Sequence, residues 1–137
     1  MVHLQGRRAR GGEKMMAYIA GGITGDEKYK ARFAAAKEWL LAEKETQEVA
    51  RGLLKVSPYP TADVVLNPAE LPADWPGKVY MDVCLAMIRA ADLVVFLPGW
   101  EQSRGAGLEM EYCWHQIKPV YKIAEEEIEG WMTDEAG

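Results

Sequence analysis

Four residues in the last third of the chain have types and a spacing suited to chemistry on a sugar phosphate: Ser103, Gly105, Gly107 and Glu109. Serine is a preferred helix N-cap, and the backbone N–H groups at a helix start attract anions such as phosphate. If a helix starts at Ser103, Glu109 lies about 9 Å further along its axis, on the same face as Gly105. Small residues beside a carboxylate leave room for a sugar, so Glu109 is a candidate functional residue.

A second glycine-rich turn, Gly21-Gly22-Ile23-Thr24-Gly25, follows a short apolar run that contains Tyr18. Glycine lets a ligand approach the backbone closely, and such turns supply N–H groups to anions. Because ligands of α/β sheets bind beyond the carboxyl ends of the strands, we expect both turns to lie at one ligand site.

Each candidate side chain also has a purely structural interpretation. Trp100 could stack on a base or pack as a wall of its loop, and Arg104 could contact phosphate or be a solvated charge. Tyr18 could be a core tyrosine with a satisfied hydroxyl. Glu109 could be a solvated surface residue, the commonest fate of a helical glutamate, and spacing alone leaves both of its interpretations equally open.

The elements that would position these residues alternate between strand and helix. Short apolar runs predict strands, and helical spacing of apolar residues predicts helices. The predicted strands are Met16–Ala20, Val64–Leu66, Leu93–Leu97 and Pro119–Ile123, and the predicted helices are 27–50, 78–90 and 103–116. This alternation predicts an α/β fold, a small Rossmann- or flavodoxin-like parallel sheet of about four to five strands with helices on both faces.

Apolar stripes on two of the predicted helices should face the sheet. They are Val79, Val83, Met87 and Ile88 in the second helix and Ala106, Met110, Cys113 and Ile117 in the third. Glu109 lies outside the stripe of its helix, so the helix could present it to a ligand.

The 137 residues suit one domain flanked by two charged segments. We expect a disordered basic leader over residues 1–14, the domain over 15–123 and an acidic segment over 124–137. Four basic residues and one acidic residue give the leader a charge of +3. Because the whole chain has a net charge of −5, the remaining residues carry −8. An acidic body argues against a nucleic-acid partner, which needs many phosphate-neutralising side chains.

Several other classes are excluded by composition. No stretch approaches the roughly 18 apolar residues of a membrane span, and no signal peptide is recognisable. Cys84 and Cys113 lack the spacing of a disulfide framework or a metal site, which suits a reducing compartment. We therefore expect a cytoplasmic protein that contacts no membrane and requires neither a metal nor a cofactor.

Three segments together resemble the DUF4406 family, often found in phages and bacteria: Tyr18–Gly25, Asn67–Leu71 and Leu97–Ala106. The resemblance covers roughly residues 16–123. That family looks like a branch of the nucleoside 2-deoxyribosyltransferase superfamily. The run from Ser103 to Glu109 is also similar to the Ser-x-Gly-x-Gly-x-Glu motif of the superfamily's deoxynucleotide N-hydrolases.

The resemblance implies roles for individual residues. Glu109 would attack the anomeric carbon, and Ser103 would help to hold the 5′-phosphate. Tyr18 and the Gly21–Gly25 turn would line the pocket. The resemblance also implies a homodimer or larger oligomer, for which Trp114 and Trp131 offer spare apolar surface.

The sequence departs from the superfamily at one position. The aspartate usually found on the helix before the Leu93–Leu97 strand falls on Cys84 here. Asp82 is two residues earlier, about 200° around the helix, so it could act in catalysis only if the helix is rotated or shifted. Its alternative role is that of an acid favoured near a helix N-terminus. Asp82, Asp74 and Tyr18 remain the candidates for assisting the leaving base.

The expected activity is cleavage of the N-glycosidic bond, or base exchange, on a nucleoside or nucleotide, preferably a (deoxy)nucleoside 5′-monophosphate. One alternative is a non-catalytic nucleotide-binding or sensor module, which needs the anion site but not Glu109. Another is a phosphoribohydrolase of the lysine-decarboxylase-like type, which breaks the same bond but prefers ribose.

Overall fold

The computed structural model describes residues 14–22, 28–42, 50–52 and 59–128. Over these residues, parallel strands alternate with helices. In chain order they are β1 Met16–Ala20, α1 Tyr29–Leu41, β2 Val64–Leu66, α2 Gly77–Ala90, β3 Leu93–Phe96, α3 Arg104–Gln116, β4 Val120–Lys122 and the short α4 Glu125–Ile128. Single 3₁₀ turns at Pro68–Glu70 and Trp100–Gln102 follow β2 and β3.

The four strands form one parallel sheet in the order β2-β1-β3-β4. Tyr18 of β1 is in register with Leu66 of β2 and with Val94 of β3. From β1 the chain passes first to β2 on one side and then to β3 on the other. This reversal opens a crevice at the carboxyl ends of β1 and β3, where α/β sheets bind their ligands.

Helices cover both faces of the sheet. On one face, α1 packs Phe33, Ala36 and Leu40 against alternate residues of β1 and β3. On the other face, α2 and α3 pack against the intervening strand residues through Cys84, Ile88, Met110 and Cys113. Burying each large apolar side chain contributes roughly 1.5–3 kcal/mol. The predicted α/β parallel sheet with helices on both faces is confirmed.

The first helix is shorter than predicted. It ends at Leu41 rather than near Ala50, because Ala42 has an extended backbone with φ −89° and ψ 145°. The Ala62 N–H donates to the Leu40 carbonyl at 2.8 Å, so the chain entering β2 takes over an acceptor at the helix end. Residues 43–49 lie outside the described part of the chain.

Two residues assigned to the apolar stripes are exposed. Val79 is 44% exposed because it lies about 140° around α2 from the buried Cys84. Ile117 is 87% exposed because it is the C-cap of α3, where a left-handed φ of 54° ends the helix before the chain enters β4. The predicted inward positions of Ala106, Met110 and Cys113 are confirmed.

The two charged end segments are described only in part. Residues 1–13, most of the predicted leader, lie outside the described residues, as do 129–137. The acidic segment begins with α4, where Glu127 accepts a 2.8 Å hydrogen bond from the Tyr121 hydroxyl. In the described residues no helix is both long and apolar enough to cross a membrane.

Candidate functional site

Ser103 starts α3 just beyond β3, as the sequence predicts. Its side-chain oxygen accepts a 3.2 Å hydrogen bond from the Ala106 N–H. The turn before it bends at Gly99, whose φ of 86° favours glycine. The positive end of the α3 dipole therefore lies at the carboxyl edge of the sheet, beside the crevice.

Glu109 is buried, although it lies outside the apolar stripe of α3. Only 6% of the residue is exposed, and its Oε2 accepts a 2.6 Å hydrogen bond from the Tyr18 hydroxyl of β1. Burial raises the pKa of the Glu109 carboxyl to about 7, and the hydrogen bond from Tyr18 acts in the opposite direction. The interpretation of Glu109 as a solvated surface residue is wrong.

Tyr18 is buried, and its partner is Glu109 rather than a core carbonyl. Burial, together with the nearby Glu109 carboxylate, raises the pKa of the Tyr18 hydroxyl well above its usual value, so Tyr18 stays a proton donor. Cys84 of α2, in the same core cluster as Tyr18, interacts with the Tyr18 hydroxyl. Burial raises the pKa of its thiol to about 11, so it is a neutral group at pH 7.

Glu109 opens into a cavity of about 260 Å³, which we name the Glu109 cavity. Aromatic, small and apolar residues surround the carboxylate. The described lining is Gly21, Tyr29, Leu71, Ala73, Trp75, Gly77, Tyr80, Met81, Ser103, Gly105, Ala106 and Glu109. Sequence reasoning missed the aromatic walls, although Trp75 follows β2 and Tyr29 follows the glycine turn after β1, both at the ligand-binding edge.

A second cavity of about 590 Å³, the Arg104 cavity, adjoins the first. The two cavities share Ser103 and Gly105 at the start of α3. The described lining of the second is Gly22, Arg32, Pro98, Gly99, Gln102, Ser103, Arg104 and Gly105. Two arginines and a helix N-terminus give this cavity the character of an anion site.

The first glycine-rich turn packs closely at the same place. A Cβ on Gly21 would lie 3.2 Å from the Leu97 Cβ and 3.3 Å from the Phe33 ring, so the strand end tolerates little more than glycine there. A Cβ on Gly22 would meet the Ser103 Cβ at 3.4 Å, which places the two predicted turns in contact. The predicted binding residues Ile23, Thr24 and Gly25 lie outside the described residues.

Three other candidates are not brought to Glu109. The Trp100 ring packs 5.1 Å from the Phe96 ring and lines neither cavity, which favours its interpretation as a loop wall. Asp82 is exposed and pairs with Lys78 at 3.1 Å, as a surface residue of α2. Asp74 is also exposed. Of the proposed acids, only Tyr18 touches Glu109.

The described residues contain no cluster of three or more histidine, cysteine, aspartate or glutamate side chains that could hold a metal ion. The site combines one buried carboxylate, one tyrosine hydroxyl and an adjoining cavity with the character of an anion site. A carboxylate in such a place can attack an electrophilic sugar carbon or stabilise a cation.

Comparison with known proteins gives a family for part of the chain. No curated protein and no solved structure matches the chain. A family model does match part of the chain, from the approach to β2 to the end of β4; this part includes Ser103 and Glu109 but not Tyr18. Residues 60–122 match the model of the family described as Domain of unknown function (DUF4406), which confirms the predicted DUF4406 resemblance for that segment.

Proposed function

We propose that the protein is a cytoplasmic enzyme that breaks the N-glycosidic bond of a nucleoside 5′-monophosphate, by hydrolysis or base exchange, with Glu109 as nucleophile. The observation that carries this proposal is the buried Glu109 carboxylate, held by Tyr18 in a cavity that adjoins a second cavity with the character of an anion site. Concave sites at a topological switch point are the usual ligand sites of such folds.

The position of Glu109 suits a nucleophile better than a structural acid. Its hydrogen bond with Tyr18 uses Oε2, and the residue also lines the cavity. A fixed carboxylate loses little conformational freedom when it attacks. With a pKa near 7, the group is ionised in a large part of the population at neutral pH and is more basic than an ordinary glutamate.

The proposed reaction is a double displacement. A Glu109 oxygen attacks C1 of the sugar, the C–N bond breaks with its electron pair going to the base, and a glycosyl ester forms. Water or a second base then attacks C1 and releases the Glu109 carboxylate. The proton that this attacking group loses passes to solvent, and the departed base takes up a proton from solvent. Tyr18 keeps its proton through both steps and orients the carboxylate.

The Arg104 cavity supports a phosphorylated substrate. The Ser103 hydroxyl oxygen accepts a hydrogen bond from the Ala106 N–H, so the Ser103 hydroxyl proton can be donated to a phosphate oxygen. Arg104 is exposed and lines the same cavity, as does Gly22. A phosphate in the Arg104 cavity would leave the sugar and base beside Glu109.

The decisive experiment measures base release from a panel of nucleosides and their monophosphates. Glu109→Gln should lower kcat/KM by roughly a thousandfold or more, as removal of a covalent nucleophile does. Glu111→Gln, an exposed position on the same helix, is the matched control and should retain turnover. Near-normal turnover by folded Glu109→Gln protein would sink the nucleophile assignment.

The sensor alternative makes a different prediction in the same experiment. The Arg104 cavity, which would hold the phosphate, does not include Glu109. A sensor would therefore bind monophosphates without releasing base in the wild type. A phosphoribohydrolase would instead release base faster from ribonucleotides than from the matching deoxynucleotides.

A further inference from the structure

The aromatic walls of the Glu109 cavity are fixed by contacts outside it. The Tyr29 ring stands edge to face against Phe33, with ring centres 6.3 Å apart and an interplanar angle of 84°. The Tyr80 hydroxyl donates to the Pro68 carbonyl at 2.9 Å. Trp75 is half-buried on the loop between β2 and α2. These anchors hold two of the three rings in place before any ligand enters, which lowers the cost of binding a planar group.

The electrostatic character of the same cavity is negative. Among the described lining residues, Glu109 is the one that carries a charge, and lysine, arginine and histidine are absent. Aromatic faces are themselves negative and attract cations, tryptophan most strongly. A cation beside Glu109 would also favour its ionised form, the form that can attack.

The geometry points to a planar, positively charged base as the occupant of the Glu109 cavity, and so to nucleotides with a cationic, N-substituted ring as substrates. This inference rests on the proposed function and names the substrate class of that site. The adjoining Arg104 cavity has the opposite charge, with Arg32 and Arg104 in its lining. Together the cavities complement a zwitterion that has a cationic ring at one end and a 5′-phosphate at the other.

A cationic leaving group also simplifies the chemistry. Glu109 bonds to C1, the C–N bond breaks, and its electron pair neutralises the positive ring nitrogen, so the base departs without receiving a proton. Water then attacks C1, its proton passes to solvent, and the Glu109 carboxylate is regenerated. The groups at hand suit this route, because the Cys84 thiol is a weak acid and Asp82 pairs with Lys78 at the surface.

The first test measures binding with a pair of free bases that differ in charge. Calorimetry should show 1-methylnicotinamide, a cation, binding wild-type protein about tenfold or more tightly than neutral nicotinamide. Trp75→Leu should bring the two affinities together, and Trp75→Phe should restore the preference. Trp114→Leu, at an exposed tryptophan outside both cavities, is the control and should leave the preference unchanged. Equal affinity of wild-type protein for both bases would overturn the inference.

The second test measures turnover of 7-methylguanosine 5′-monophosphate and guanosine 5′-monophosphate, each rate divided by its uncatalysed rate. The inference predicts that the methylated, cationic substrate has a corrected kcat/KM about tenfold or more above its partner. Turnover of both with equal corrected values overturns the inference and leaves the proposed function standing. Preferential binding of the cation without turnover of any nucleotide supports the cavity's charge preference and overturns the proposed function.

Discussion

The Glu109 cavity and the Arg104 cavity meet at the start of α3, yet they are built in different ways. The first is lined mainly by side chains from several elements, around one buried carboxylate. The second is formed by turns, a helix N-terminus and two arginines. Under the proposed function the Glu109 cavity would carry the chemistry and the Arg104 cavity would recognise the phosphate, so separate substitutions should disturb these two roles separately.

The two cavities should differ most in how they affect the free energy of unfolding, because, of the two, only the Glu109 cavity buries a carboxyl whose pKa lies near neutrality. The folded pKa of about 7 exceeds the ordinary value of 4.5, so between these pH values the folded state holds a proton that the unfolded state lacks. Stability falls as pH rises through that window, by up to about 3 kcal/mol. Denaturant titrations at pH 5 and pH 8 should show that the free energy of unfolding of Glu109→Gln, relative to that of the wild type, is higher at pH 8 than at pH 5.

Glu111→Gln is the control for that titration, because Glu111 is exposed on the same helix. Its stability relative to the wild type should change little between pH 5 and pH 8. A wild-type stability that does not fall relative to Glu109→Gln as pH rises would contradict the raised pKa of the buried carboxyl.

The second prediction alters the Arg104 cavity and spares the carboxylate. Aspartate is as good an N-cap as serine, so Ser103→Asp keeps the start of α3 while placing a negative charge beside the phosphate. Losing a charge-assisted phosphate contact costs roughly 1.5–3 kcal/mol, or on the order of tenfold to a hundredfold in affinity. The ratio of kcat/KM for a monophosphate to that for its nucleoside should fall by about that factor.

Ser103→Asn is the matched control, since asparagine is a neutral helix cap of the same size as aspartate and should keep most of the preference for phosphate.

Deoxynucleoside monophosphates should be better substrates than the matching ribonucleotides in both the wild type and Ser103→Asn. Equal kcat/KM for nucleoside and monophosphate in the wild type would refute the phosphate site, even if Glu109 proved to be the nucleophile.

The third prediction tests how Tyr18 supports the carboxylate. Tyr18→Phe removes the 2.6 Å hydrogen bond that lowers the pKa of Glu109, so that pKa should rise. At pH 7 kcat/KM should fall about tenfold, and the acidic limb of the pH profile should move to higher pH. Tyr121→Phe removes a similar tyrosine–glutamate hydrogen bond, 2.8 Å long, between residues that line neither cavity, and it should leave the pH profile unchanged. An unshifted limb in Tyr18→Phe would contradict the positioning role.

Much of the fold follows from local sequence. Val64–Leu66 and Leu93–Phe96 are strands because continuous apolar runs suit a sheet buried on both faces. Ser103 starts its helix as its type and its place after Pro98–Gly99 predict. The end of α1 could not be predicted, because the Ala62 N–H that meets Leu40 arrives from 22 residues further along the chain.

The candidate site was predictable in its residue types but not in its environment. A position outside the core stripe normally faces water, yet Glu109 faces walls that other elements supply. Its partner Tyr18 is 91 residues away along the chain, and local spacing contains no sign of that pairing. The rotation of α2 that takes Asp82 to the surface and Cys84 inward likewise depends on packing against the sheet.

The last prediction concerns a surface away from both cavities and should affect them least. Trp114 and Ile117, at the end of α3, are 69% and 87% exposed. Two large apolar side chains exposed one turn apart suit contact with a second copy of the chain. Light scattering at micromolar concentration should show a homodimer or larger, and Trp114→Lys should shift it toward monomer. Because Tyr18, Ser103 and Glu109 come from a single chain, kcat/KM should change less than about tenfold. A monomeric wild type would contradict the predicted oligomer, and loss of all turnover in Trp114→Lys would show that a neighbouring subunit completes the Glu109 cavity.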